Sequence, residues 1–230
     1  GDWSSDVCSS DLMYDLEWVC NLSGGVRRHL PVPHRFVCLT DDPVALKLKD
    51  AYVEFVPLLH GWKGWWSKIE LFRPGLFAPG NAIYFDLDMV ITNDLTRIAW
   101  HKHRFTMCHE FYRPQHYCST AMAWNASEAL AIYSEFKQRP DEIMRKYASR
   151  RPDRLIGDQA FIEHHLLSIG LTPDTFKNLW GDDSIASYKV HKCDKRVPAN
   201  AMAVAFHGRP KPHEITGGWV PLKWKGAAHA

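Results

Sequence analysis

No stretch of the 230-residue chain holds the roughly 18 consecutive apolar residues of a membrane-spanning helix, so no transmembrane segment is expected. An excess of one charge is also lacking. The formal charge is +2, and Lys and Arg are scattered rather than clustered, which leaves no basic patch for nucleic acid. The six cysteines (Cys8, Cys20, Cys38, Cys108, Cys118 and Cys193) contain no Cys-x-x-Cys pair, which argues against a zinc knuckle or a dithiol redox motif. Cys38 and Cys108 lie in apolar, strand-like runs and read as small core residues. A reducing cytoplasm suits this usage, with a peripheral place at the inner membrane surface left open. Internal repeats and low-complexity tracts are absent, and nothing marks an internal domain boundary.

What is present is enough apolar residue, 46% of the chain, to build one good-sized core. Residues 16–30 read as a helix whose end carries Arg27, Arg28 and His29, the favourable charge for a helix C-terminus. Residues 35–40 and 51–56 are β-rich, the first closed by the turn signal Thr40-Asp41-Asp42 before Pro43. This alternation predicts an α/β sheet with substantial parallel character. Trp65, Ile69 and Phe72 recur at spacings of four and three, the stripe of a helix facing the core. Beside them, Lys68 reads by pattern alone as a solvated helix lysine. Further on, a strand is expected at residues 104–108 and a helix at 126–137 with Leu130, Tyr133 and Phe136 inward. Another helix spans 158–169 with Asp158 as its N-cap, and a last strand at 202–206 delivers His207.

The most telling stretch is Ala82-Ile83-Tyr84-Phe85-Asp86-Leu87-Asp88-Met89-Val90-Ile91. In an extended segment Asp86 and Asp88 point the same way. Two converging carboxylates repel unless a proton or cation lies between them, and such oxygen donors suit a hard divalent ion. A strand running into an Asp-rich turn is the ordinary alternative for a lone Asp-x-Asp. A second cluster, Phe206-His207-Gly208-Arg209-Pro210-Lys211-Pro212-His213-Glu214, shifts the balance.

Together the two motifs resemble the nucleotide-sugar glycosyltransferases of the GT-A fold, most closely the family-eight type and its bacterial relatives, over roughly residues 30–224. The resemblance implies a single-domain GT-A-like α/β sandwich with a mostly parallel central sheet. It also implies a nucleotide-sugar donor, a carbohydrate or other hydroxyl acceptor, hexosyl transfer and a Mn²⁺ or Mg²⁺ cofactor. In that likeness Asp86 and Asp88 hold the metal on the donor diphosphate, and His207 supplies a third ligand. Lys211 neutralises the leaving phosphates, Gly208 lets the backbone approach them, and Lys68 reaches the donor. Asp158 orients sugar hydroxyls and Gln159 lies close to the anomeric carbon, while Thr40 and Asp41 line the nucleotide side. The family likeness leans towards retention of stereochemistry.

Two alternatives come from other classes. A haloacid-dehalogenase-type phosphatase would use Asp86 as nucleophile and Asp88 as acid/base. Against it stand Met89-Val90 where Gly-Thr is usual, the motif's position far into the chain, and the unexplained His207 cluster. A non-catalytic carbohydrate-binding module could use the ten tryptophans as stacking platforms.

Residues 1–12 show neither a basic n-region nor an apolar h-region. They resemble one reading frame of a common short-read sequencing adapter, with native sequence expected from about Met13; an ordinary loose terminus is the alternative. GT-A enzymes begin with a strand that helps hold the nucleotide base. Here the helix from Leu16 is the first recognisable element, so residues 13–230 are expected to form a domain lacking that first strand.

Overall fold

The computed structural model describes residues 14–127 and 129–226; residues 1–12, expected to be foreign, lie outside that description. Asp15 opens helix α1 (Leu16–His29), its carboxylate accepting a 2.9 Å hydrogen bond from the Glu17 amide. That bond satisfies one of the donors a helix start leaves unpaired. Trp18, Leu22 and Val26 form the buried stripe of α1. Gly25 brings the helix close to the sheet, since a Cβ there would stand 3.3 Å from Ile91.

Strands β1 (Phe36–Thr40) and β2 (Val53–Pro57) pair in parallel, Phe36 opposite Val53. Strands β3 (Asn81–Phe85), β5 (Phe105–His109), β6 (Tyr117–Asn125) and β7 (Asp174–Thr175) form a second sheet in the order β3-β6-β5-β7. The third, β4-β9-β8, holds β4 (Met89–Ile91), β8 (Ile185–Ser187) and β9 (Ala203–Ala205). Helices α2 (Thr96–Trp100), α3 (Leu130–Gln138), α4 (Pro140–Lys146), α5 (Gly157–Ser168), α6 (Phe176–Trp180) and α7 (Trp219–Trp224) complete the regular elements, with three 3₁₀ segments.

Parallel pairings (β1–β2, β5–β7, β8–β9) are matched by antiparallel ones (β3–β6, β5–β6, β4–β9). The mostly parallel sheet expected from sequence is therefore a mixed one. Long apolar runs report burial of both faces, and burial does not fix strand direction. The segment Gly64–Phe72 is 3₁₀ rather than α-helical. At three residues per turn its fully buried face falls on Trp66, Ile69 and Phe72, with Trp65 displaced to partial burial. The helix expected from residue 126 begins at Leu130 and buries Ile132, Tyr133 and Phe136.

Strand β4 shows how two layers of core meet. Met89 and Ile91 pack with Leu22 and Val26 of α1, whereas Val90 packs on the other face with Trp18 and Trp224, following the two-residue alternation of a strand. A further core joins Ile69, Phe72, Trp124, Phe136 and Phe161. Among the described residues no helix is long and apolar enough to cross a membrane, and the five cysteines are unbridged.

Candidate active site

Where β3 ends, the Asp86 amide donates to the Thr120 carbonyl of β6 (2.9 Å), extending the pairing by one residue. The Asp86 carbonyl then accepts from the Met89 amide (3.1 Å), closing the turn into β4. Both Asp86 carboxylate oxygens are engaged. Oδ1 accepts from Tyr84 Oη (2.5 Å) and contacts Lys68 Nζ (3.0 Å), and Oδ2 accepts from Thr120 Oγ1 (2.6 Å). Lys68 Nζ also donates to Ser119 Oγ (3.1 Å) and lies 3.5 Å from Asp158 Oδ2, which itself accepts from Ser119 Oγ (2.6 Å).

Lys68 is thus a largely buried cation clasped by two carboxylates, not the solvated lysine its pattern suggested. Burial alone would lower its pKa, but Asp158 and Asp86 outweigh that and the net shift is upward, so the ammonium stays charged. Burial raises the Asp158 carboxyl, and Lys68 and Ser119 offset the rise only in part. The expectation that Asp158 caps α5 is corrected: the N-cap is Ile156, which makes no side-chain bond. Asp158 lies inside the first turn and directs its carboxylate at Ser119 and Lys68.

The second pair joins Asp88 to the far loop. Lys211 Nζ donates to Asp88 Oδ2 (2.8 Å), to Tyr14 Oη (3.2 Å) and to the Phe206 carbonyl (3.4 Å). Glu214 Oε2 accepts from the Lys211 amide (2.8 Å), pinning the loop. Burial, followed by the negative charge of Asp86, pushes the Asp88 carboxyl well up. Burial pushes the Lys211 ammonium down to about 8. The 2.8 Å contact favours the charged form of each and opposes both shifts.

β9 delivers His207 as expected, but its ring is turned to other partners. Nε2 lies 2.6 Å from Ser187 Oγ, and the ring stacks on Phe111 with centroids 5.3 Å apart. Burial and Lys189 lower its pKa to about 4, so the imidazole is neutral. Among the described residues no three His, Cys, Asp or Glu side chains stand together as a metal cluster. Gly208 has φ +66°, a conformation that favours glycine. Gln159 is half-buried beside Asp158. Thr40 closes β1, where Oγ1 accepts from the Asp42 amide (3.0 Å), and Asp41 is exposed. Neither lines the main cleft, a space of about 810 Å³ whose lining includes Lys68, Tyr84, Asp86 and Asp88.

Sequence reasoning missed Tyr84, Ser119 and Thr120. The signal for the last two is a polar pair inside the apolar run from Cys118 to Trp124, because a buried hydroxyl needs a partner.

This arrangement of strands and helices is the fold of solved glycosyltransferases. GlyE of Streptococcus pneumoniae TIGR4 matches with a TM-score of 0.59 and 12% identity, over 86% of this chain and 53% of that one. A crystal structure of the galactosyltransferase LgtC with donor and acceptor sugar analogues gives 0.57 and 11%, over 85% and 84%. An active-site mutant of LgtC gives 0.58 and 11%, over 89% of each chain. No family model and no curated sequence matches.

Proposed function

We propose that the protein is a glycosyltransferase that moves a hexosyl group from a nucleotide-diphosphate donor to a hydroxyl acceptor. The observation that carries this reading is the gathering of two lysine–carboxylate pairs, Lys68–Asp86 and Lys211–Asp88, at a single turn. The fold shared with solved glycosyltransferases supports it.

Cleaving a sugar–phosphate bond leaves a diphosphate whose growing charge must be met. A lysine ammonium held in place and shielded from water meets it more effectively than solvent does. In this reading Lys211 exchanges its contact with Asp88 for a phosphate oxygen, and Gly208, which has no Cβ, lets the loop approach. Lys68 keeps Asp86 and Asp158 at fixed separation and orientation. Asp158 and Gln159, at the start of α5, are assigned to the sugar.

A divalent cation fits the donor chemistry of the turn. Asp86 and Asp88 offer hard oxygens, close enough that the charge of Asp86 raises Asp88, and a cation there would replace Lys211 on Asp88 and share the Asp86 oxygens with Tyr84, Thr120 and Lys68. Bound there, Mn²⁺ or Mg²⁺ would neutralise the departing diphosphate. The neutral imidazole of His207 would join them only by giving up Ser187.

The phosphatase alternative is disfavoured by the state of Asp86. Both of its oxygens already accept strong hydrogen bonds or an ammonium, which weakens a nucleophile. Calorimetry with nucleoside diphosphates, with and without Mn²⁺, tests the proposal. Binding is expected to require the metal and to be lost in Asp88→Asn. Metal-independent binding, equal in wild type and variant, would overturn it, and a beryllium-fluoride adduct on Asp86 would hand the site to the phosphatase.

A further inference from the structure

Lys68 and Lys211 each rest on a carboxylate at the Asp86–Asp88 turn. Lys189 comes to the loop after β9 without one. Its Nζ lies 3.0 Å from where a Cβ on Gly208 would stand, so the ammonium takes up the room that the missing side chain leaves. The residue is exposed, and among the described residues it forms no ion pair. Its charge reaches the loop all the same, since it helps to lower the pKa of His207.

A long surface lysine ordinarily sweeps through solvent, but the backbone is fixed on both sides of Lys189. The Tyr188 amide donates to the Ala205 carbonyl (3.0 Å), carrying the β8–β9 pairing one residue further. The Tyr188 ring stacks on Phe206 with centroids 4.4 Å apart. Beyond Lys189, the Val190 amide donates to Ser187 Oγ (3.2 Å) and the Lys192 amide to the Lys189 carbonyl (3.2 Å). The Cys193 amide returns to the Tyr188 carbonyl (2.9 Å) and closes the turn.

The two lysines meet the same short loop at different points. Lys211 Nζ donates to the Phe206 carbonyl (3.4 Å), and Phe206 and Gly208 are at most about 7 Å apart along the chain. A diphosphate has oxygens spaced to touch both seats. We propose that Lys189 is a further phosphate-binding residue, holding the donor diphosphate from the Gly208 side while Lys211 holds it from the Asp88 side. An ammonium is a compact point charge with three donors and suits phosphate oxygens. Lys211 must leave Asp88 to bind, whereas Lys189 has no carboxylate to give up. The inference rests on the nucleotide-diphosphate reading of the turn and adds to it a residue that neither sequence cluster contains.

Calorimetry on the full chain with Mn²⁺ tests it, with the diphosphates of uridine, adenosine and guanosine and the matching nucleosides as ligands. Lys189→Met is expected to bind whichever diphosphate the wild type binds about tenfold more weakly, with a shallower loss of affinity as salt is raised. Affinity for the parent nucleoside and the melting temperature of the ligand-free protein should not change. Lys189→Arg keeps the charge and should stay within about threefold of the wild type. Equal diphosphate affinity in wild type and Lys189→Met overturns this inference and leaves the proposed function standing. A loss that Lys189→Arg does not restore, or that extends equally to the nucleoside, makes Lys189 a structural residue and overturns it as well. A wild type that binds no nucleoside diphosphate removes the reading of the turn and this inference with it.

Discussion

Replacing Lys68 by methionine removes the cation between Asp86 and Asp158 while keeping the length and most of the apolar volume of the side chain. The lysine side chain is 9% exposed and that of Asp158 6% exposed, so water cannot take over the lost contact. Breaking a buried charge network by deleting one partner costs about 3–5 kcal/mol, because the remaining charge is stranded. The pH dependence identifies the cause. The folded-state pKa of Asp158 is already raised, and it rises further once Lys68 is gone. A raised carboxyl favours the fold fully below its unfolded value, about 4, and that contribution is lost as pH climbs through the folded value. The deficit of Lys68→Met should therefore be largest near pH 8 and shrink towards pH 4 as Asp158 takes up a proton. Urea denaturation followed by tryptophan fluorescence at several pH values measures it. In Lys68→Met with Asp158→Asn, much of the loss near pH 8 should be recovered. A deficit below about 1 kcal/mol at pH 8, or one that grows on acidification, would refute the reasoning.

Three other outcomes are expected. Gly157→Ala should cost about 1–3 kcal/mol, since φ is +73° and a Cβ would stand 2.8 Å from the Trp65 indole; a thermal melt checks it, and an unchanged melting temperature would contradict it. Glu70→Gln should cost about 3 kcal/mol or more, because the buried carboxylate accepts from the Leu59 and His60 amides and from Arg73; urea denaturation measures it, and a near-neutral result would contradict that role. Burial lowers the Lys211 ammonium to about 8 while Asp88 at 2.8 Å supports its charge, so the charge declines as pH rises past that value. Nucleoside-diphosphate affinity should therefore fall about tenfold between pH 7 and 9, whereas Lys211→Arg, charged throughout, should stay flat in the same calorimetric titration.

Much of the first half of the chain was legible because its signals are local. The capped helix with basic residues in its last turn and the two β-rich runs appear within a residue or two of their expected bounds. Asp86, Asp88 and His207 were placed at strand ends for the same reason. Strand direction was not legible, since Tyr84 opposite Met122 and Met107 opposite Met122 are antiparallel pairings that no run of apolar residues encodes. The buried face of residues 64–72 moved by one position because the backbone took a three-residue period. Lys68 reads as a surface lysine until Asp158, ninety positions later in the chain, closes on it. Asp158 does not cap α5 because the helix starts at Gly157, one residue before it, which leaves its carboxylate inside the first turn and aimed at Ser119 and Lys68. Such long-range partners decide the chemistry here and leave almost no trace in local pattern.

The central claim is sugar transfer from a nucleotide donor at the Asp86–Asp88 turn. The most direct measurement is release of nucleoside diphosphate from a panel of sugar nucleotides with Mn²⁺, comparing wild type with Asp88→Asn and Lys211→Ala. The account predicts turnover of at least one donor, abolished in Asp88→Asn and reduced about a hundredfold or more in Lys211→Ala. Turnover equal in all three proteins, or no turnover of any donor by the wild type, would contradict it.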